Sequence, residues 1–577
     1  MTTPGTDAEV RRMTDQTRSP LAAAQAALAA DAAHADPALW ITRLPDAAIL
    51  DAARRLESEG RCGRPLWGVP FAVKDNIDIA GLPTTAACPD FAYTPGATAP
   101  VVQRLLDAGA LLLGKTNLDQ FATGLTGVRS PYGVPRNVFD AMLVPGGSSS
   151  GSACVVGAGI ADFALGTDTA GSGRVPAMFG GIVGFKPTIG SLSATGLVPA
   201  CRSIDTISIF ARTVDEALAV AAIVTAFDDA DRYSRPAPPG HLRRAADGPV
   251  RLGVAAALPP CDPSVEAAYR AAAERFDTVP VDLSPFLEIA RLLYDGPWVA
   301  ERTAALRHFA DAHPAALHPT TAAILRSGHA RTAVDTFDAF HQLAEARRIA
   351  QRLFRDIDAL LLPTATNCPT LEACAADPLG PNSRLGTFTN FVNLCDLSAI
   401  AVPSGEGPVG VTLLGPAWSE GRLAPIADHI HRASRTTVGA TTHPLPPPAA
   451  PDALGPDETA LFCIGAHMSG LPLNHQLRDR GARLLRPART EPAYRLYALG
   501  QRPGLVRAAV GAAIEGEVWA LPTARIGDLL ALVPPPLGFG TVHLEDGPCL
   551  GFLAEAEALD GARDITDHRG WRAWLAA

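Results

Sequence analysis

Two glycine-flanked serine clusters, separated by a short apolar segment, constrain the fold of this chain more than any other feature. They lie in residues 144–174, VPGGSSSGSACVVGAGIADFALGTDTAGSGR, with Ser148 opening the first cluster and Ser172 in the second. Residues 153–164 between them are small and apolar apart from Asp162, which predicts a short buried helix followed by a strand. The first cluster then precedes a helix, and the second lies on a turn that follows a strand.

The glycines in both clusters permit positive φ angles and let backbone amides approach a ligand closely. A flexible Ser/Gly linker is the plainest alternative, but the apolar flanks and the core-like segment between the clusters argue against it. A phosphate-binding loop requires a lysine after the second glycine cluster, whereas Arg174 stands there. We therefore interpret the stretch as a site for a nucleophilic serine.

A serine nucleophile requires a base, and the composition of the chain points to a lysine. No histidine lies between His34 and His241, although a distant segment can still contribute one. The chain has 49 lysine and arginine residues, of which only Lys74, Lys115 and Lys186 are lysines. Arginine cannot lose its proton in a protein, whereas a buried lysine can. Because all three lysines lie near the serine stretch, we expect at least one of them to transfer protons.

Five ordered motifs around the serine clusters resemble the amidase signature family. The motifs are GVPFAVKDNID (68–78), GKTNLDQFATG (114–124), PGGSSSGS (145–152), GTDTAGSGRVP (166–176) and GFKPT (184–188). The resemblance covers roughly residues 40–435. It implies an α/β amidase signature fold, in which a mixed central sheet is surrounded by helices.

The same resemblance implies a serine–cis-serine–lysine triad. Ser172 is then the nucleophile, Lys74 the base and Ser148 the relay between them, with a cis peptide bond just before Ser148. The spacing of 24 residues between the two serines fits that triad. The backbone amides expected to form the oxyanion hole are those of Thr169, Ala170 and Gly171.

Plainer roles for the triad residues are disfavoured by the motif match. Ser172 alone resembles a turn serine and Ser148 a helix-capping serine. Lys74 alone resembles an ion-pair partner of Asp75 or Asp78. Its place at the end of an apolar strand, however, predicts burial that lowers its pKa from the usual ~10.4, so that a neutral amine is attainable.

Further segments resemble the allophanate hydrolases within that family: DQFATGLTGVRSPYG, LLYDGPWVAER, SRLGTFTNFVNLCDLSAIAVP and GAHMSGLPLNHQL. The resemblance implies that the substrate is allophanate, a small ureido carboxylate. Tyr294 and Arg302 match its substrate-binding Tyr and Arg, and their eight-residue spacing predicts that one helical face carries both. Arg302 is suited to hold a carboxylate through two hydrogen bonds. Gly124 and Ser149 complete the expected substrate-binding set, and Ser149 is also expected to support the network of Lys74, Ser148 and Ser172.

A Pro-rich segment, residues 436–456, predicts a stiff, extended linker between two domains. Residues 1–19 are expected to be a flexible N-terminus, 20–435 an amidase domain and 457–577 a smaller α+β domain that resembles gamma-glutamyl cyclotransferase-like folds. His467, in GAHMSG, is the candidate catalytic residue of that C-terminal domain. The resemblance implies that the domain decarboxylates the product of the amidase domain; the alternative is a structural histidine in a domain that serves assembly.

Alternating strands and helices predict the α/β core of the amidase domain. Strands are expected at residues 66–73, 111–114, 160–166, 183–185, 250–255, 358–363 and 409–414. Helices are expected at residues 20–33, 45–58, 99–108, 214–226, 264–276, 286–312 and 332–357. The last two, both long, are expected to cap the sheet.

Composition narrows the class of protein further. A hydrophobic content of 47% and a net charge of −10, without a basic run, favour a globular protein and disfavour nucleic-acid or membrane binding. The start of the chain has no signal-peptide pattern, and ten scattered cysteines without metal-binding spacing indicate a reduced, cytoplasmic protein. We expect no metal, no organic cofactor and a homodimer, possible partners being other enzymes of the same nitrogen pathway.

Three other functions fit parts of this pattern. A broader amidase would act on other small amides or ureido acids. A transamidosome-type amidotransferase subunit would pass ammonia to a substrate on a dedicated partner and would have no use for residues 460–577. A degenerate amidase serving as a scaffold is disfavoured because Lys74, Ser148 and Ser172 are all present.

Overall fold

The computed structural model describes residues 18–449 and 452–577. Of the predicted flexible N-terminus, only Arg18 and Ser19 lie among these residues, and Ser19 caps the first helix by accepting a hydrogen bond from the Ala22 amide. The described residues form two compact units. The first comprises residues 18–237, 252–352 and 359–449, and the second comprises 238–251, 353–358 and 452–577. The two predicted domains are continuous segments, whereas the second unit draws on three segments of the chain.

Helices and strands alternate through most of the chain up to residue 449. In order, these elements are α1 (Pro20–His34), β1 (Trp40–Arg43), α2 (Asp46–Glu59), β2 (Pro70–Lys74), α3 (Pro100–Asp107), β3 (Leu111–Thr116), α4 (Ser150–Gly157), β4 (Phe163–Asp168), α5 (Val175–Gly180), β5 (Val183–Lys186), β6 (Thr206–Ala211), α6 (Val214–Val224), β7 (Arg251–Ala255), α7 (Pro263–Ala273), β8 (Asp277–Val281), α8 (Ser284–Arg291), α9 (Trp298–Ala312), α10 (Pro319–Gly328), α11 (Ala333–Asp356), β9 (Ala359–Pro363), α12 (Leu371–Ala376), α13 (Gly380–Leu385), α14 (Asn390–Leu394), β10 (Leu397–Pro403), β11 (Gly410–Pro416) and α15 (Glu420–Ser434).

The strands of this part form one mixed sheet, ordered β1-β3-β2-β4-β6-β5-β10-β11-β9-β7-β8. Strands β3, β2 and β4 run parallel, while β6, β5, β10 and β11 are joined by antiparallel pairs. Every residue of β2 and β4 is buried, as strands covered on both faces require. Their Phe71 and Phe163 side chains stack at 5.2 Å. The predicted mixed central sheet is confirmed.

Local signals predicted many of these elements but missed some. Strands β6 and β10 were not predicted, although both are buried throughout. The single helix predicted over 286–312 is wrong, because α8 ends at Arg291 and α9 begins at Trp298. Pro297 stands at the N-cap of α9, where its fixed φ suits a helix start but interrupts a continuing helix.

The Pro-rich segment is not an extended spacer over residues 436–449. It turns back on itself through hydrogen bonds such as Leu445 N to Thr436 O at 2.9 Å. It also bonds to neighbouring helices, since the Ala449 amide donates to Asp215 of α6 at 2.8 Å. A proline-rich segment can therefore be locally stiff and still pack against the neighbouring protein surface.

The chain after residue 452 forms two smaller sheets. Its elements are β12 (Glu458–Cys463), α16 (Asn474–Arg478), β13 (Arg483–Arg489), β14 (Tyr494–Leu499), β15 (Arg502–Arg507), β16 (Glu515–Pro522), α17 (Ile526–Leu530), β17 (Leu537–Leu544), β18 (Gly547–Ala554), β19 (Arg563–Asp564) and α18 (Trp571–Leu575). One sheet has the order β13-β16-β12-β18-β17 and the other β15-β14-β19. Buried Phe462, Tyr494, Trp519 and Trp571 help to form their shared core.

Candidate active site

The parallel pairing of β2 with β4 brings the lysine and the second serine cluster to one edge of the sheet. Lys74 is the last residue of β2, and β4 ends at Asp168, just before the turn that contains Ser172. Carboxyl ends of neighbouring parallel strands lie at the same edge, where ligands of α/β sheets usually bind. The first serine cluster is added by α4, which begins at Ser150.

Lys74 is completely buried and donates hydrogen bonds to three hydroxyl groups. Its Nζ lies 2.7 Å from Ser148 Oγ, 3.0 Å from Ser149 Oγ and 2.7 Å from Thr167 Oγ1. Among the described residues, no carboxylate is in ion-pair contact with Lys74. The structure therefore brings Lys74 and Ser148 together, and the peptide bond before Ser148 is cis, as the resemblance implied.

Burial changes the acid–base character of this lysine. Removal from water disfavours the charged ammonium group and lowers the pKa of Lys74 to about 7. The negative charges of Asp119, Asp205 and Asp168 oppose that shift, and the positive charge of Arg302 adds to it. The balance leaves an amine that can accept and return a proton near neutral pH.

Ser172 is also buried, with 3% of its surface exposed. Within the described part of the chain, its hydroxyl makes no hydrogen bond, and none joins Ser148 Oγ to Ser172 Oγ. The structure thus brings Lys74 into contact with Ser148 but leaves the second step of the predicted relay without a direct hydrogen bond.

The turn before Ser172 is braced by a buried ion pair. Arg174 Nε lies 2.8 Å from Asp168 Oδ2, and Asp168 also accepts the amides of Gly171 at 2.9 Å and Gly173 at 3.1 Å. Although burial by itself raises the pKa of Asp168, Arg174 holds it below its usual value. The predicted oxyanion hole needs revision here, because the Gly171 amide already has Asp168 as its acceptor.

Tyr294 and Arg302 are brought together, but not as the sequence predicted. Tyr294 lies in the turn between α8 and α9 and Arg302 lies in α9, so they do not share a helix. The Arg302 guanidinium instead lies over the Tyr294 ring, 5.6 Å from its centre. Arg302 is fully buried, and its Nη1 donates to Thr123 Oγ1 at 2.7 Å.

Gly124 and Ser149 lie next to groups of the same region. A Cβ atom on Gly124 would lie 2.5 Å from Asp119 Oδ2, so only glycine fits beside that buried carboxylate. Ser149 Oγ accepts from Lys74 and donates to Thr167 O at 3.2 Å. This places Ser149 in the lysine network, which it was expected to support; its expected contact with substrate stays a prediction.

A cavity of about 310 Å³ lies beside Leu125 and Tyr294. It is lined by Leu125, Tyr294, Asn382 and Asn390, among others. Asn382 Oδ1 accepts the Leu125 amide at 2.8 Å, which fixes the backbone next to Gly124. The Asn390 Oδ1 atom is buried without a partner among the described residues. The cavity can admit a small polar molecule next to Tyr294, which is one of the predicted substrate-binding residues.

Three contributors to the site were missed by the sequence analysis. Thr167 bonds to Lys74, Thr123 bonds to Arg302, and Asp205 accepts Thr169 Oγ1 at 2.5 Å. The first two lie inside the recognised motifs GTDTAGSGR and DQFATG, which was the available signal. Asp205 lies outside every motif, and its part follows only from the fold.

His467 belongs to the second unit, in the loop that follows β12. Its Nε2 lies 3.0 Å from Gln476 Oε1, and its ring stacks on Phe552 at 5.0 Å. The Asn474 side chain holds the His467 carbonyl at 2.8 Å. Burial lowers the pKa of His467, which favours the neutral imidazole.

The chain belongs to the amidase family, because the family's sequence model (Amidase) matches residues 23–424. Residues 459–576 match a second model, the allophanate hydrolase C-terminal domain. The allophanate hydrolase of Kluyveromyces lactis has a solved structure that is 39% identical, with a TM-score of 0.76 and 97% of each chain covered. The chain therefore joins an amidase domain to an allophanate hydrolase C-terminal domain.

The relatives align with this chain over different lengths. The urea amidolyase of Saccharomyces cerevisiae is 41% identical over 572 residues, 93% of this chain, but the chain spans only 31% of that relative's length. One component of the glutamyl-tRNA(Gln) amidotransferase of a Synechococcus species is 35% identical over 422 residues, which cover 66% of this chain and 86% of the relative.

Proposed function

We propose that this chain hydrolyses allophanate through an acyl-enzyme formed on Ser172. The observation that carries the proposal is the buried contact between Lys74 and Ser148 at the sheet edge where the Ser172 turn also lies. A desolvated lysine with a pKa of about 7 is suited to general-base catalysis at neutral pH.

In the proposed mechanism, neutral Lys74 takes the proton of Ser148 as Ser148 takes the proton of Ser172. The Ser172 oxygen attacks the terminal amide carbon of allophanate, and ammonia leaves with the returning proton. Water then hydrolyses the acyl-enzyme, releasing N-carboxycarbamate. The missing hydrogen bond between the two serines is expected to form with substrate bound, since catalytic contacts are often long in the free enzyme.

Backbone amides stabilise the oxyanion that forms during attack. Because the Gly171 amide donates to Asp168, the proposal relies on the amides of Thr169 and Ala170. Neither of these amides has an acceptor among the described residues, so both remain available for a developing negative charge.

Arg302 and Tyr294 are proposed to hold the substrate carboxylate. A guanidinium buried under an aromatic ring is weakly hydrated and keeps its charge, which suits it to pair with a small anion. The cavity lined by Tyr294 supports the part of this placement that involves the ring, because it provides space for a ligand next to Tyr294.

The second unit is proposed to decarboxylate N-carboxycarbamate, with His467 as the residue that acts on it. The match of residues 459–576 to the allophanate hydrolase C-terminal domain and the neutral imidazole of His467 support this step. Carbamate then breaks down to the second ammonia and carbon dioxide. We further propose a cytoplasmic homodimer that works beside other enzymes of nitrogen metabolism. As a separate observation, within residues 18–449 and 452–577 every helix is too short or too polar to span a bilayer.

A direct comparison of substrates tests the proposal against a broader amidase. Ammonia release by the purified full chain should be measured on allophanate, biuret and malonamide at equal concentrations. Allophanate should be preferred in kcat/KM by at least about tenfold, because only it presents the carboxylate that Arg302 would bind. Equal rates on all three would favour a broader amidase, and activity only with glutaminyl substrates would favour an amidotransferase component.

A further inference from the structure

Two buried side chains from a distant segment of the chain donate hydrogen bonds to the loop that contains the proposed nucleophile, Ser172. This loop comprises residues 168–172, and we refer to it as the oxyanion loop. The two side chains are Thr389, directly before α14, and Asn393, within it; both are completely buried. Both reach backbone carbonyls of the oxyanion loop.

Asn393 fixes the orientation of the peptide between Asp168 and Thr169, the first in the oxyanion loop. Its Nδ2 donates to Asp168 O at 2.7 Å and to Ile204 O at 2.8 Å, so both amide hydrogens are used on backbone carbonyls. The C=O and N–H of a trans peptide point in opposite directions. Holding the Asp168 carbonyl therefore directs the Thr169 N–H away from Asn393.

Thr389 fixes the orientation of the peptide between Ala170 and Gly171, two residues further on. Its Oγ1 donates to Ala170 O at 2.6 Å, on the side opposite the Gly171 amide that donates to Asp168. Gly171 has a φ of +127°, and a Cβ atom there would lie 2.4 Å from Thr389 Oγ1. Thr389 is itself held, because Arg174 Nη2 donates to its carbonyl at 3.2 Å.

We propose that Thr389 and Asn393 are positioning residues for acyl transfer. The hydrogen bonds fix the peptides on both sides of the Thr169–Ala170 peptide, which restricts its rotation as well. The amides that would bind the oxyanion are therefore oriented before substrate binds. Donors that need no rearrangement as charge develops contribute more to the rate than donors that must first be ordered. The inference rests on the proposed function, since it assumes that Ser172 is the nucleophile.

The test replaces each side chain with one of similar size that cannot donate. Thr389→Val and Asn393→Leu should each lower kcat on allophanate by about 10- to 100-fold, because a small misplacement of catalytic groups has effects of that order. KM should stay within about twofold, since neither residue contacts the proposed carboxylate site. Labelling of Ser172 by a fluorophosphonate should slow in parallel with kcat, because phosphonylation uses the same oxyanion donors.

Two variants serve as controls, and a third is a substitute for the valine variant. Thr389→Ser keeps the hydroxyl and should retain nearly full kcat. Thr364→Val removes a buried hydroxyl that bonds to Thr412 Oγ1 at 2.8 Å, away from the oxyanion loop. It should lower the stability of the protein about as much as Thr389→Val does, and it should leave kcat unchanged. Thr389→Cys, with a weak donor of similar size, replaces the valine variant if that variant does not fold, and should also lower kcat.

The outcomes separate this inference from the proposed function. Folded Thr389 and Asn393 variants with wild-type kcat and wild-type labelling would overturn the positioning role while leaving the Ser172 mechanism intact. Equal losses of kcat in Thr364→Val and Thr389→Val would also overturn it, because the effect would then be one of general stability. Turnover in Ser172→Ala would instead remove the proposed function itself.

Discussion

Lys74 Nζ lies 2.7 Å from Ser148 Oγ although the two residues are 74 positions apart in the chain. The contact exists because β2 delivers the lysine to the sheet edge at which the chain enters α4. It is made inside the protein, where three hydroxyl groups replace the water that the amine has lost. Those hydroxyl groups satisfy the amine without supplying the negative charge that would keep it protonated.

The pH dependence of activity should report this neutral amine. Burial lowers the pKa of Lys74 to about 7, so the base form makes up about half of the enzyme near pH 7, is lost as pH falls below that value and is nearly complete one unit above it. We expect kcat/KM on allophanate to fall about tenfold per unit well below pH 7 and to level off above about pH 8. A profile that is flat between pH 5 and 8 would exclude Lys74 as the base that titrates.

Lys74→Arg should be about as inactive as Lys74→Ala. A guanidinium cannot release its proton in this range, so the arginine variant keeps the positive charge and loses the base. Both variants should lose about 10³-fold or more in kcat, within the range typical of the removal of triad members. Substantial activity in the arginine variant alone would mean that Lys74 acts through its charge.

Ser172→Ala should abolish ammonia release while leaving the fold intact. The acyl-enzyme cannot form without the hydroxyl, so kcat should fall by about 10⁴-fold or more. Stability should change little, because in the described residues the Ser172 hydroxyl makes no hydrogen bond. Ser327→Ala, at an exposed site in α10 where the hydroxyl bonds only its own helix, provides the matched control and should be fully active. Near-normal turnover in Ser172→Ala would rule out this nucleophile.

Arg302→Met should weaken the use of allophanate far more than that of malonamide. Loss of a charge-assisted carboxylate contact costs about 1.5–3 kcal/mol, or roughly 10- to 150-fold in kcat/KM. Malonamide has no carboxylate and should be affected much less, which makes it the control substrate. Because Arg302 lowers the pKa of Lys74, its removal should also move the pH inflection upward. Equal losses of kcat/KM on both substrates would mean that Arg302 acts through the pKa of Lys74 or through the stability of the fold, and that it does not bind the carboxylate.

Much of this site could be predicted because its residues lie in short motifs next to regular elements. The end of β2, the start of α4 and the turn after β4 each carry a local signal of apolar residues followed by glycine or serine. The parallel pairing that brings them together follows from strand–helix alternation. Composition alone left open which of the three lysines transfers protons, and it was the resemblance of these motifs to the amidase signature family that implied the contact of Lys74 with Ser148.

The remaining contacts depend on tertiary structure that local patterns do not encode. Asn393 reaches Asp168 across 225 residues, and no rule of spacing links them. The joint placement of Tyr294 and Arg302 was predicted for the wrong reason, since a helix was assumed where Asp295, Gly296 and Pro297 form a break. Gly-Pro is a turn signal, so this error was avoidable from the sequence.

His467 lies in the second unit, whose role can be tested separately from acyl transfer. This unit includes residues 238–251 and 353–358 as well as the C-terminal segment, so cutting the chain near residue 450 would remove part of it. Point variants in the full chain are therefore the better test. His467→Ala should leave the first ammonia release within about twofold of the wild type, because every residue proposed for acyl transfer lies in the first unit. It should slow decarboxylation, so that N-carboxycarbamate accumulates.

Stoichiometry makes this outcome measurable early in the reaction. The wild type should release two ammonia molecules per allophanate consumed, whereas His467→Ala should initially release one, with the carboxylated intermediate visible by carbon NMR of labelled substrate. His475→Ala is the control, since that ring bonds the nearby Pro472 carbonyl at 2.9 Å and has no proposed role in the chemistry. Identical product profiles for the wild type and both variants would exclude His467 from decarboxylation and leave the second unit with a role in assembly. Loss of the first ammonia in a folded His467 variant would instead mean that acyl transfer depends on the second unit.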